Sequence, residues 1–244
     1  MNFDLEGLVQ DLVDYYDEAI YVKEMGDKYP EVVSILEELV AGEPELAGLL
    51  APIIRTHVAL VKCFDKHGTL FICGNGGSHA DSLHIVGELL KSFERDRSLT
   101  EEQKKAFSSQ PDGELLADNL EQGLRAYALG GSGPLATAIH NDNEVRDINY
   151  AQELFAMAKP GDVLMGISTG GGAKNVLYAV QVAKALGLTT VGMVGNKGGK
   201  LSEMADIVIK TPERVTKLVQ EQHLPIYHAL CAMIEAHYFP KKRS

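Results

Sequence analysis

Leu70-Phe71-Ile72-Cys73-Gly74-Asn75-Gly76-Gly77-Ser78 is an apolar run of strand formers that stops at a cluster of glycines, and His84 and Glu88 follow in a segment of helical periodicity. The order predicts strand, turn, helix. Glycine lets a backbone approach a ligand closely, and the first turn of a helix offers unpaired N–H groups and a partial positive charge. The turn at Asn75, Gly76, Gly77 and Ser78 therefore suits a phosphate. A simpler reading is structural, since Ser78 with Asp81 three residues on has the spacing of a helix cap. The dinucleotide fingerprint needs a third glycine where His79 stands. The Walker pattern needs Ser or Thr after Gly199-Lys200, where Leu201 stands. No nucleotide cofactor is expected.

Working outward, strand-like runs alternate with helical patterns: Thr69 to Cys73, Ala126 to Leu129, Asp162 to Ile167, Thr189 to Val194 and Asp206 to Lys210. That alternation predicts an α/β fold with an open, parallel five-stranded sheet flanked by helices. The loop after the first strand has two weak echoes, Ser168-Thr169-Gly170-Gly171 and Asn196-Lys197-Gly198-Gly199, each closing a strand. Ligands of open parallel sheets bind beyond the carboxyl ends of strands, so these loops are expected to share one pocket. Residues 1–66 read as an N-terminal helical region and 67–240 as the sheet domain. A helical insertion stands at about 94–125, where Thr100 and Gln103 have capping-box spacing and Ser108 to Gly113 is a turn-rich break, a candidate lid.

The chain has 244 residues, 45% of them apolar, and a formal net charge of −11, so no basic stripe is available for nucleic acid. Cys63, Cys73 and Cys231 form no C-x-x-C pair, and no signal peptide is read at the N-terminus. A reducing cytoplasm is the expected setting. No apolar run is read as approaching the roughly 20 residues that span a bilayer.

His84 and Glu88 are four apart on the expected helix, so both project from one face and could bind one ion; the plainer alternative is a surface His/Glu pair. Imidazole and carboxylate suit zinc or a similar divalent metal, and a carboxylate there can also accept a proton. Gln220 and His228 stand in a second helix, two turns plus roughly 80° apart on an ideal helix, so convergence needs Gln220 at the helix entrance or a bend at Pro225. His223 and His237 compete for any role given to His228.

These residues resemble a family, the sugar isomerase or SIS domain, and within it the phosphoheptose isomerases. The likeness is carried by Cys73 to His79, His84 with Glu88, Asn141-Asp142, Gly161 to Leu164, Ile167 to Thr169, and Gln220-Glu221 with His228. The resemblance implies aldose–ketose isomerisation of a seven-carbon sugar phosphate through an ene-diol, with Glu88 and His228 as base and acid. It implies a zinc ion on His84, Glu88, Gln220 and His228. Asn75, Gly76, Gly77, Ser78, Asn141, Asp142, Ser168 and Thr169 would surround the sugar phosphate. It also implies a homo-oligomer, tetramer or dimer, whose neighbouring helices complete each site through the N-terminal region.

The chain departs from the family where Ser-Thr-Ser-Gly-Asn-Ser is usual and Ser168-Thr169-Gly170-Gly171-Gly172-Ala173 stands here. Gly170 and the following backbone N–H groups, with Lys174 at the helix start, are expected to take over from the two missing hydroxyls. The competing expectations are a noncatalytic SIS module that binds a sugar phosphate or a protein, and an isomerase for another sugar phosphate, including an amino sugar phosphate. The presence of Glu88 and His228 favours catalysis.

Overall fold

A computed structural model of the chain describes Gly7 and residues 16–239. The N-terminal part contributes α1 (Tyr16–Lys28), α2 (Pro30–Gly42), a 3-10 turn (Pro44–Leu49) and α3 (Leu50–Phe64). Pro30 opens α2, where its fixed φ suits a first turn and its missing N–H has no helical partner to lose. The alternating part follows as β1 (Leu70–Gly74), α4 (Gly77–Leu90), α5 (Glu101–Lys105), α6 (Gly113–Asn119), β2 (Ala126–Ala128), α7 (Gly133–Asp142), α8 (Asn149–Met157) and β3 (Val163–Ile167). The chain then forms α9 (Lys174–Ala185), β4 (Thr189–Val194), α10 (Gly199–Met204), β5 (Ile207–Lys210) and the long α11 (Thr216–Tyr238).

All four strand pairings are parallel and the order is β2-β1-β3-β4-β5, with Leu70 beside Val163 and Gly74 beside Ile167. β1 and β3 are buried along their whole length, as strands covered on both faces must be. Successive residues serve opposite layers. Leu70, Ile72, Met165 and Ile167 pack with α3, α4 and α11, whereas Phe71, Cys73 and Leu164 pack with α8 and α9. The N-terminal helices share the first of these layers, with Val22, Leu36 and Ile53 in one core with the sheet.

The chain leaves β1 toward β2 and leaves β3 toward β4 on the other side, so the topological switch point lies between β1 and β3. That is where an open α/β sheet holds its ligand. α4 and α11 both lie on the same face of the sheet and pack against each other, with Ile85 and Leu89 of α4 and Ile226, Leu230 and Ile234 of α11 buried.

Two expectations change. α4 is not capped by Ser78 or Asp81: its N-cap is Gly76, at φ 56°, where a side chain would be strained, and Ser78 is inside the helix. Pro44–Phe64 does have the length and composition of a membrane span, contrary to the sequence reading, but half of that stretch is buried and Ile53, Ile54 and Leu60 belong to the core. The insertion carries α5, with the capping box at Thr100 and Gln103, and α6, joined by a compact turn in which Gln110 donates to Phe107 O at 2.9 Å.

Candidate active site

The turn after β1 is held from two sides. Asn75 and Asn175 exchange amide hydrogen bonds, Nδ2 to Oδ1 at 2.8 Å one way and 2.9 Å the other, which ties the β1 loop to the first turn of α9. Tyr150 donates its hydroxyl to Gly74 O. The β3 and β4 loops also meet, because Gly195 N–H donates to Thr169 O at 3.0 Å and Leu201 N–H to Gly171 O at 2.9 Å. The three glycine-rich loops therefore gather as expected.

Across the turn, the amide of Gln220 lies against Gly77, where a Cβ would collide with it. Absence of a side chain at Gly77 is what lets α11 approach the start of α4. Ser168 is buried, Thr169 half-buried, and Gly170 and Lys174 exposed beside the uncapped N-terminus of α9. Asn141 and Asp142 are exposed at the end of α7, where Asn141 donates to Asp142 at 2.7 Å. No hydrogen bond among the described residues links this pair to the β1 or β3 turn.

Further along α4, His84 Nε2 is 3.0 Å from Glu88 Oε1 and His228 Nε2 is 3.3 Å from the same oxygen. One turn of helix aligns His84 with Glu88, and the packing of α11 on α4 supplies His228. One ligand atom from each of the three lies within 4.8 Å of the others. Glu88 is 8% exposed, against 50% for His84 and 36% for His228, so the carboxylate forms the floor and the imidazoles the rim. His228 Nε2 and Glu88 Oε2 are buried without a hydrogen-bond partner. A tetrahedral zinc site with bonds of about 2.0–2.1 Å separates its ligand atoms by roughly 3.3 Å, so two imidazoles and a carboxylate at these spacings fit the ion.

The competing histidines are accounted for. Burial lowers the pKa of His223 to about 4, a neutral core residue, and His237 stacks on Tyr29 with ring centroids 4.8 Å apart. The three cysteines are buried, and burial raises Cys63 to about 11 and Cys73 to about 12. Cys231 is pushed well up by burial and then by the neighbouring Glu88 charge, so it stays a neutral thiol beside that carboxylate.

Three residues here were missed from the sequence. Asn175 pairs with Asn75, Tyr227 places its hydroxyl 3.0 Å from His84 Nδ1, and Asp81 lies on the far side of that hydroxyl. Asn175 follows Lys174 and Tyr227 precedes His228, and adjacency to a singled-out residue was the one available signal.

Residues 141–237 match the SIS domain family. The chain is 39% identical over 178 residues to the phosphoheptose isomerase of Crocosphaera subtropica, covering 73% of this chain and 78% of that protein. It is 34% identical to that of Burkholderia pseudomallei over 80% of this chain and 86% of the relative. The chain belongs to the phosphoheptose isomerase family. The solved phosphoheptose isomerase of Francisella tularensis has a similar fold, with a TM-score of 0.65 and 28% identity over 84% of this chain and 96% of that one. For the phosphoheptose isomerase of Neisseria gonorrhoeae the TM-score is 0.62, again at 28% identity, over 84% and 98%. The phosphoheptose isomerase likeness thus extends well before residue 141, over the β1 turn and α4 as well as α11.

Proposed function

We propose that this protein interconverts sedoheptulose 7-phosphate and D-glycero-D-manno-heptose 7-phosphate through an ene-diol. The observation that carries the reading is the meeting of His84, Glu88 and His228 at 3.0 and 3.3 Å, in a chain of the phosphoheptose isomerase family. Isomerisation moves one proton from C1 of the ketose to C2 and one hydroxyl proton from O1 to O2. It needs a base for the carbon-bound proton and an acid for the oxygen. Glu88 takes the C1 proton from the floor of the site, where its carboxylate faces both imidazoles. His228, on the opposing helix, is the acid; because its Nε2 faces Glu88 and the proposed ion, the proton it gives to the developing oxygen, and takes back in the reverse direction, is the one on Nδ1.

His84, Glu88 and His228 are the residues that would hold zinc; Gln220, whose amide lies against Gly77 two turns earlier on α4, is the fourth ligand that the family resemblance implies. When bound, the ion polarises the substrate carbonyl and stabilises negative charge on its oxygen. Asn75, Gly76, Gly77, Ser78, Asn141, Asp142, Ser168, Thr169 and Gly170 bind the sugar phosphate, and the Asn75–Asn175 pair keeps the floor of that pocket in place before substrate arrives. Leu83 and Leu90 on α4 and Leu224 on α11 are exposed around the trio. That supports a homo-oligomer, a tetramer or a dimer, in which a neighbouring subunit covers them. The setting proposed is the cytoplasm.

Lys174 stands at the first residue of α9, whose N-cap Ala173 has no side chain to satisfy the first-turn N–H groups. Asn175 Oδ1 already accepts the Val176 N–H at 3.0 Å; the donors before it and the ammonium take the phosphate in place of the family's hydroxyls. Lys174→Ala is expected to raise KM for the sugar phosphate about tenfold with little change in kcat, the loss of one charge-assisted contact. An unchanged KM would remove Lys174 from the site. The reading as a whole is tested by following sedoheptulose 7-phosphate with the zinc-supplemented protein by NMR. Appearance of aldoheptose phosphate supports it, and no turnover by assembled wild-type protein favours a noncatalytic sugar-phosphate binder.

A further inference from the structure

No hydrogen bond among the described residues reaches His228 Nε2, which is buried and stands 3.3 Å from Glu88 Oε1. His84 differs, because its Nδ1 lies 3.0 Å from the Tyr227 hydroxyl. What borders the His228 imidazole is rings. Those of His84 and Tyr227 stand nearly perpendicular to it at 5.2 and 5.0 Å, and that of Phe93 lies 5.8 Å away, tilted by 38°. All three distances are within the range over which aromatic rings attract one another. Of the three, Phe93 alone belongs to neither α4 nor α11. It stands three residues past the end of α4, in the connection to α5.

The backbone of Phe93 is fixed by α11 itself. Glu235 lies seven residues after His228, two turns along nearly the same face of the helix. Its carboxylate accepts the Phe93 N–H at 2.9 Å and the Glu94 N–H at 2.8 Å, and Arg97 Nε donates to it at 2.6 Å, with Glu235 and Arg97 both fully buried. The helix that carries the imidazole thus also carries the clamp that sets Phe93 beside it. The Phe93 side chain is half-buried and packs against the core. We infer that Phe93 is a positioning residue for the isomerisation, its clamped ring holding the His228 imidazole in the orientation the reaction uses. The inference rests on the reading of His228 as the acid. A contact through Nε2 alone fixes one atom and leaves the plane of the ring free. Packed among three rings, the imidazole keeps Nε2 toward Glu88 and presents its remaining atoms in one direction. Holding a reacting group in place in this way is worth as much as the group itself, since a displacement of about 1 Å can cost on the order of 100-fold in rate.

The test compares full-length wild type, Phe93→Ala, Phe93→Leu and Phe93→Tyr. Steady-state kinetics on sedoheptulose 7-phosphate are measured at saturating zinc, with zinc content and melting temperature, and carbon NMR relaxation of the labelled His228 ring is measured in zinc-free protein. Phe93→Ala is expected to lower kcat roughly 10–100-fold at unchanged zinc content, with KM within a few-fold of wild type. The same variant is expected to increase the motion of the His228 ring. Phe93→Leu restores most of the volume, and with it the melting temperature, but not the flat face, so its kcat stays several-fold low. Phe93→Tyr keeps the ring and is expected to recover kcat to within a few-fold. A merely structural role would leave the folded variants at wild-type kcat. The inference is overturned if Phe93→Ala and Phe93→Leu, folded and zinc-replete, turn over like wild type, or if the His228 ring is no more mobile in Phe93→Ala than in wild type. A wild type without turnover defeats the isomerase reading instead, and the ring mobility alone then decides the role of Phe93.

Discussion

Glu88→Gln is expected to lower kcat by about 10²–10⁴-fold while leaving the protein folded and KM within a few-fold of wild type. The substitution keeps the shape of a side chain that is 8% exposed and packed in the floor of the site, but removes its ability to take a proton. A neutral amide costs less to bury than a carboxylate, so the melting temperature should hold or rise. Because Oε1 is also the atom both imidazoles face, the variant is assayed at saturating zinc with its metal content measured, which separates a lost base from a lost ligand. A metal-replete variant that keeps more than roughly a tenth of wild-type kcat would place the base elsewhere.

Arg97→Met is expected to destabilise the fold by about 3–5 kcal/mol, the cost of breaking a buried ion pair and stranding its partner. Arg97 and Glu235 are both 0% exposed, and Arg97 Nε donates to Glu235 Oε1 at 2.6 Å. Glu235 also accepts the Phe93 and Glu94 N–H groups at 2.9 and 2.8 Å, and Arg97 Nη1 donates to Leu89 O at 2.9 Å. The guanidinium lies 5.0 Å from the centroid of the Phe239 ring. One side chain thus joins the last turn of α4, the connection that follows it and the end of α11, and it anchors the peptide next to Glu88. For a chain of this size the loss corresponds to a drop in melting temperature on the order of 10 °C. A shift under roughly 2 °C, less than 1 kcal/mol on the same scale, would show that the pair is dispensable.

The central strands were legible because parallel strands buried on both faces must be continuous apolar runs, and β1 and β3 were placed within a residue of where they lie. Thr189 to Val194 was placed at its observed bounds, and the capping box at Thr100 formed as its spacing demands. His84 and Glu88 were legible through the helical repeat alone, since a spacing of four fixes a shared face without any tertiary information. His228 was different. Its approach depends on how α11 packs on α4, which no local pattern encodes, and it was found through resemblance. The start of α4 was misread because Ser78 has cap chemistry, whereas the close approach of Gln220 and the positive φ of Gly76 select glycine at the turn. Arg97 lies in a polar connection where charged residues are the rule, so nothing in its neighbourhood marks it as the most deeply buried cation in the insertion. Its partner Glu235 stands 138 residues away.

The most direct test of the central claim is to let the zinc-loaded protein act on sedoheptulose 7-phosphate in D2O and to locate deuterium by NMR. Proton removal from C1 by Glu88, exchange of that proton with solvent and return at C2 predict aldoheptose phosphate labelled at C2 and recovered ketose labelled at C1; Glu88→Gln should give neither. Conversion without such labelling would mean a shielded proton or a hydride shift, and labelling undiminished in Glu88→Gln would contradict the assignment of the base.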